Sequence, residues 1–239
     1  MPFFMQNKLS LRMQKQQLIF VFLWMSFFGS SQNQMTSAVD SLYREDQIYF
    51  GVMYNAIISA PEALAQNSFS PGFTLGIIRD FPINKTRNIA VGLGLGYTID
   101  SYSQNLKIAP NSSGNLDYEF VSNTSFQKNR LSYHTLDIPL EFRWRTSTAE
   151  RYKFWRIYAG FKASYITTSK AYFESPTETI THKNLDLKQW QFGLTLSAGY
   201  NNWNGYLYYG ITPLFEDVNI ENSDLEIKTL KIGLMFYFL

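Results

Sequence analysis

The chain has no cysteine. That excludes disulfides, thiol catalysis, cysteine metal sites and the lipid-attachment cysteine of a lipoprotein. Only two histidines occur, His134 and His182, and neither belongs to an HExxH or similar metal-binding spacing. Beyond residue 31 no apolar run reaches the roughly 18 residues of a spanning helix. Mean hydropathy lies slightly below zero. Charge is also sparse, at 17% of residues, with a net of +2.

The first segment carries that positive charge. Lys8, Arg12 and Lys15 precede the apolar stretch from Leu18 to Phe28, and Gly29, Ser30 and Ser31 follow. This is the pattern of a secretory signal peptide over residues 1–31, with cleavage expected before Gln32. An N-terminal anchor is the alternative, but the apolar stretch is short for one. The three basic residues have no acidic counterpart in the segment, so the remaining 208 residues carry a net of −1. No basic surplus is left for nucleic acid. Residues 32–46 are polar and are expected to form a periplasmic lead-in.

What is abundant is aromatic residues, at 17%, and strict alternation. In TLDIPLEFRWR, Leu136, Ile138, Leu140, Phe142 and Trp144 share one face, and Asp137, Pro139, Glu141, Arg143 and Arg145 share the other. The same period recurs at about 47–57, 71–80, 89–103, 153–170, 188–201, 204–213 and 227–239. The connectors between these segments alternate in length. Those at 58–70, 104–130, 171–187 and 214–226 are long, and those at 81–88, 147–152 and 202–203 are short. Short periplasmic turns and long outer loops are the habit of outer-membrane barrels. The expected fold is therefore all-β, an eight-stranded antiparallel transmembrane barrel over 47–239, integral to a Gram-negative outer membrane and in contact with its lipid. A soluble antiparallel barrel or sandwich would alternate too.

Glycines crowd the inward positions, among them Gly51, Gly92, Gly94, Gly96, Gly160, Gly193 and Gly233. An eight-stranded barrel is just wide enough to be filled by side chains. The glycines leave room for Arg143, Arg145, Arg156, Lys162, Tyr158, Tyr206 and Tyr208, so a filled lumen is expected. The candidate site is the lumen charge cluster Asp137, Glu141, Arg143, Arg145, Arg156 and Lys162. Buried charges must be paired, which favours a structural plug over an ion gate or docking site. Pro139, unable to donate to a ladder, predicts a bulge or kink. Trp144, Trp155, Trp190 and Trp203 are expected in the periplasmic girdle.

Enzymatic chemistry finds little support. Ser132 and His134 share an outward face and could serve a lipid esterase, but no acidic residue on that face would orient the histidine. His182 is read as a solvated loop residue. The acidic stretch 216–226 lacks the spacing and glycine of an EF-hand. The glycines of GLGLG at 92–96 alternate within a strand and make no nucleotide fingerprint. No catalytic residue, metal site or cofactor is expected.

Four segments carry a resemblance: TLDIPLEFRWR at 135–145, KFWRIYAGFKASY at 153–165, QFGLTLSAGYNNWN at 191–204 and LKIGLMFYFL at 230–239. Together they resemble the PorT family of Bacteroidota outer-membrane proteins, from about Asp46 onward. The resemblance implies a role in the type IX secretion system, which exports proteases, adhesins and gliding-motility proteins, and other components of that system as partners. It supplies no catalytic residue. The chain departs from the common aromatic ending of such barrels by closing on Phe238-Leu239. A small porin or solute channel is the competing reading.

Overall fold

The structure is a computed structural model that describes residues 46–146, 154–216, 218–220 and 223–238. These belong to one compact unit spanning 41–239. The expected signal peptide, nearly all of the lead-in and the turn at 147–152 lie outside the described residues. Among the described residues there are strands and no helix.

The elements are β1 (Gln47–Ile58), β2 (Pro71–Pro82), β3 (Ile89–Ser103), β4 (Leu106–Pro110), β5 (Leu116–Phe120), β6 (Lys128–Arg145), β7 (Trp155–Glu174), β8 (Thr179–Lys183), β9 (Trp190–Tyr200), β10 (Trp203–Gly210), β11 (Asn219–Ile220), β12 (Ser223–Asp224) and β13 (Lys228–Phe238). Eight of them close a cylinder in the order β6-β3-β2-β1-β13-β10-β9-β7, with β6 pairing back to β7 and every pairing antiparallel. Closure removes the free edges that an open sheet would expose. Burial alternates residue by residue along these strands. Ile48, Leu75, Leu95, Leu136, Leu194 and Ile232 stand exposed on the outside, while Tyr49, Met53, Arg143, Tyr206 and Tyr237 are buried within. A continuous apolar exterior is stable only where the surroundings are apolar.

Two features of the wall differ from expectation. Pro139 causes no bulge. The β3–β6 register is the same on both sides of it, from Leu93↔Leu140 to Gly96↔Asp137, and only the intervening pairs drop out. The missing N–H costs ladder bonds without adding a residue. The register shift falls instead between His134 and Thr135, where Thr167 of β7 is the extra residue. The second difference is Trp190. It opens β9 after a long connector and stacks edge-on to Tyr165 at 5.2 Å, so it marks the long-loop end. Trp144, Trp155 and Trp203 lie at the short-turn end as expected.

The long connectors are not merely solvated. One forms the hairpin β4–β5, another carries β8 against β7, and a third forms β11–β12. Leu106, Ile108, Leu187, Leu214, Phe215, Leu225 and Ile227 bury themselves together with Tyr102 and Tyr133 of the barrel strands. This second apolar core caps the long-loop end. His182 lies half-buried in β8 rather than free in a loop.

Candidate functional site: the charged lumen

The period of two sends every second residue of each barrel strand into a lumen too narrow for water-filled space. All six charged residues singled out in the sequence are buried there. They are spread over successive levels along the barrel, with Glu141 and Lys162 lining one shared gap between the Arg143 and Asp137 ion pairs.

At the short-turn end the centre is Arg143. Its Nη1 donates to Asp80 Oδ1 at 3.1 Å, its Nε to Glu141 Oε2 at 3.2 Å, and its Nη2 to Gln47 Oε1 at 2.6 Å. The guanidinium also lies 4.3 Å from the Tyr158 ring centre. Arg145 reaches the other oxygen of Asp80 at 2.8 Å and the Arg87 carbonyl at 3.0 Å. Arg156 faces the Phe154 ring at 4.5 Å and the Tyr237 ring at 5.8 Å, and it forms no ion pair with a described residue. Its Nε and Nη1 are buried without a hydrogen-bond partner.

At mid-height Lys162 Nζ pairs with Asp137 Oδ2 at 3.2 Å. Thr98 and Thr135 also donate to Asp137, at 2.5 and 2.8 Å. With Lys162 these make three donors to the carboxylate, the kind of compensation a buried charge requires. Nearer the long-loop end Lys231 pairs with Asp100. The Tyr208 ring lies between the two ammonium groups, 4.9 Å from each. Asp80, Asp100 and Lys231 thus join the six as structural partners. Their strand parity marked them as inward; their pairing across the lumen had no signal in one strand alone.

Five buried cations face four buried carboxylates among the described residues. Between them an interior gap lined by Tyr49, Pro139, Glu141, Lys162, Tyr206 and Tyr237 has a volume of about 10 Å³. That is about the space of one water molecule.

Ser132 and His134 are not brought together. His134 Nδ1 is hydrogen-bonded to Tyr97 Oη at 2.6 Å, and Ser132 Oγ to Ser101 Oγ at 3.2 Å. Among the described residues no group of three potential metal ligands is found, and the acidic 216–226 stretch contributes Leu225 to the cap.

The closed eight-stranded wall, its apolar exterior and its polar packed interior define an outer-membrane β-barrel. The chain belongs to the family described as outer membrane protein beta-barrel domain, which matches residues 30–216. It is integral to the outer membrane, with the short turns on the periplasmic side by the rule for such barrels. No curated protein matches the sequence. Among solved structures, Ail, the attachment invasion locus protein of Yersinia pestis, in complex with the heparin analogue sucrose octasulfate, is similar at 13% identity and a TM-score of 0.39. The match covers 82% of this chain and all of that one. A mutant of the Rh. blastica porin aligns over 82% of this chain and 99% of that one, at 11% identity and a TM-score of 0.13.

Proposed function

We propose that this barrel is a contact-making accessory of protein export across the outer membrane, serving the type IX secretion system to which its PorT-like segments point. The filled lumen carries the reading. Among the described residues, a gap of about 10 Å³ between buried ion pairs gives a solute little room and a protein none. Work done by such a barrel falls to its outer surfaces. Those surfaces are unusually large on one side, because β6 and β7 run for 18 and 20 residues. A barrel strand needs only about 9–11 residues to cross. The excess projects outward with β8 along its edge. Among the described residues β8 pairs only with β7, so its other edge is available to a partner strand.

Deletion of the gene with plasmid complementation tests the proposal. Retention of cargo that complementation relieves supports it. Normal export in the deletion strain removes it.

A further inference from the structure

Above the apolar belt, the outward face of the projecting sheet is basic. Lys128 and Arg130 on β6, Lys170 on β7 and Lys183 on β8 share that face. Lys170 and Lys183 are direct cross-strand partners. Like charges so placed repel across a sheet, and an anion seated between them would relieve that repulsion. The Tyr172 ring lies among the cations, 5.2 Å from Lys128 Nζ and 5.9 Å from Lys170 Nζ. Arg130 stands opposite Tyr172, and its Nε is sequestered without a partner. None of the four cations forms an ion pair with a described residue. Among the described residues the one carboxylate on the outward face of these strands, Glu174, stands across from Lys128 and accepts the Tyr172 hydroxyl at 2.8 Å.

The height of this patch identifies what it meets. The belt ends at Leu136, Tyr165 and Trp190, where the aromatic pair marks the interface. Lys170 pairs with Ser132, four residues further out along β6. At the rise of a tilted strand that is roughly 10 Å above the belt. Long lysine side chains reach back from there toward the lipid headgroups. Beside Lys128 and Arg130 opens a cleft of about 730 Å³, whose lining includes Asn67, Asn123 and Gln127. Its volume suits a small ligand, and its amides suit sugar hydroxyls as its cations suit phosphate.

We propose that this face binds phosphate carried on a sugar, as on the glycolipid headgroups of the outer leaflet. Phosphate between Lys170 and Lys183 turns a repulsive pair into a clamp, and the saccharide lies in the adjoining cleft. The site is independent of the export reading and can be tested on the purified barrel.

The test measures retention of bis-phosphorylated lipid A, dephosphorylated lipid A and soluble inositol hexakisphosphate by native mass spectrometry and thermal shift in nanodiscs. Wild-type protein is expected to retain the phosphorylated lipid over its dephosphorylated form. A variant carrying R130Q, K170Q and K183Q is expected to bind about a hundredfold more weakly, at roughly fivefold per basic residue near an anionic surface. Heat-modifiable gel mobility verifies that the variant barrel is folded. The single variant K183Q supplies a second readout: without ligand at low salt its melting point should rise, and its ligand-induced shift should shrink. Retention that ignores phosphorylation and all three substitutions overturns the proposal. Strong binding of inositol hexakisphosphate with no preference for phosphorylated lipid A overturns the membrane source.

Discussion

At Arg143 two carboxylates, an amide and an aromatic ring converge on one guanidinium. The planar fork of arginine makes this possible, and lysine at the same place would lose most of it. Arg143→Ala leaves Asp80 and Glu141 with reduced compensation in a dry interior. The expected cost is about 3–5 kcal/mol, read from urea unfolding in lipid vesicles. Gly193 shows the opposite constraint. A Cβ there would run into the Tyr208 ring, which is held between Lys162 and Lys231. Gly193→Ala should cost roughly 1–3 kcal/mol through overpacking, measured the same way. Both residues were readable from parity in the sequence, because a narrow barrel demands a large residue and a vacancy side by side. The partners were not readable. Asp80 and Arg143 are 63 positions apart, and nothing local in β2 names its companion.

At the scale of elements, the barrel strands followed from alternation and the cap did not. The residues LKI at 106–108 and LDYEF at 116–120 are too short to announce a strand against the surrounding Asn and Ser, yet Leu106 and Ile108 are fully buried. Tyr118 of β5 joins this hairpin to the rest of the cap. Its ring meets Phe215 edge-on at 5.7 Å and its hydroxyl donates to Asp186 at 3.0 Å. Burial, followed by the Asp186 hydrogen bond, pushes the phenol well above its ordinary range. The neutral phenol is therefore the form that the cap holds. Its contribution is full below the ordinary tyrosine range and is lost as pH rises through the raised value. Tyr118→Phe should speed amide exchange across 104–127 at neutral pH, by an opening cost lowered about 0.5–1.5 kcal/mol. The difference from wild type should shrink in strong alkali, and exchange within β1 and β13 should stay unchanged.

For the whole molecule, a packed lumen under an apolar cap predicts electrical silence. Purified protein in planar bilayers should show no discrete conductance steps at neutral pH. Steps of porin size would revive the channel reading. Alternating connector lengths already marked in the sequence which rim carries the long loops, and β1 and β13 accordingly start and finish at the short-turn rim. The protrusion was less legible: β6 and β7 exceed their expected lengths because their outer halves pair with each other and with β8 above the belt.

Closure depends on the join between β1 and β13, eleven consecutive pairs from Ile48↔Phe238 to Ile58↔Lys228. The two partners come from opposite ends of the barrel sequence, so the last-made strand must find the first. Until it does, both carry naked edges, and the interior cations lack the partners that they need inside a bilayer. Such long-range pairing is slow, and exposed edges invite aggregation. A closed wall therefore exists only once β13 has paired with β1, because lipid cannot satisfy an open sheet edge. Removal of β13 should yield a polypeptide that is made and exported but degraded before it ever becomes a membrane protein.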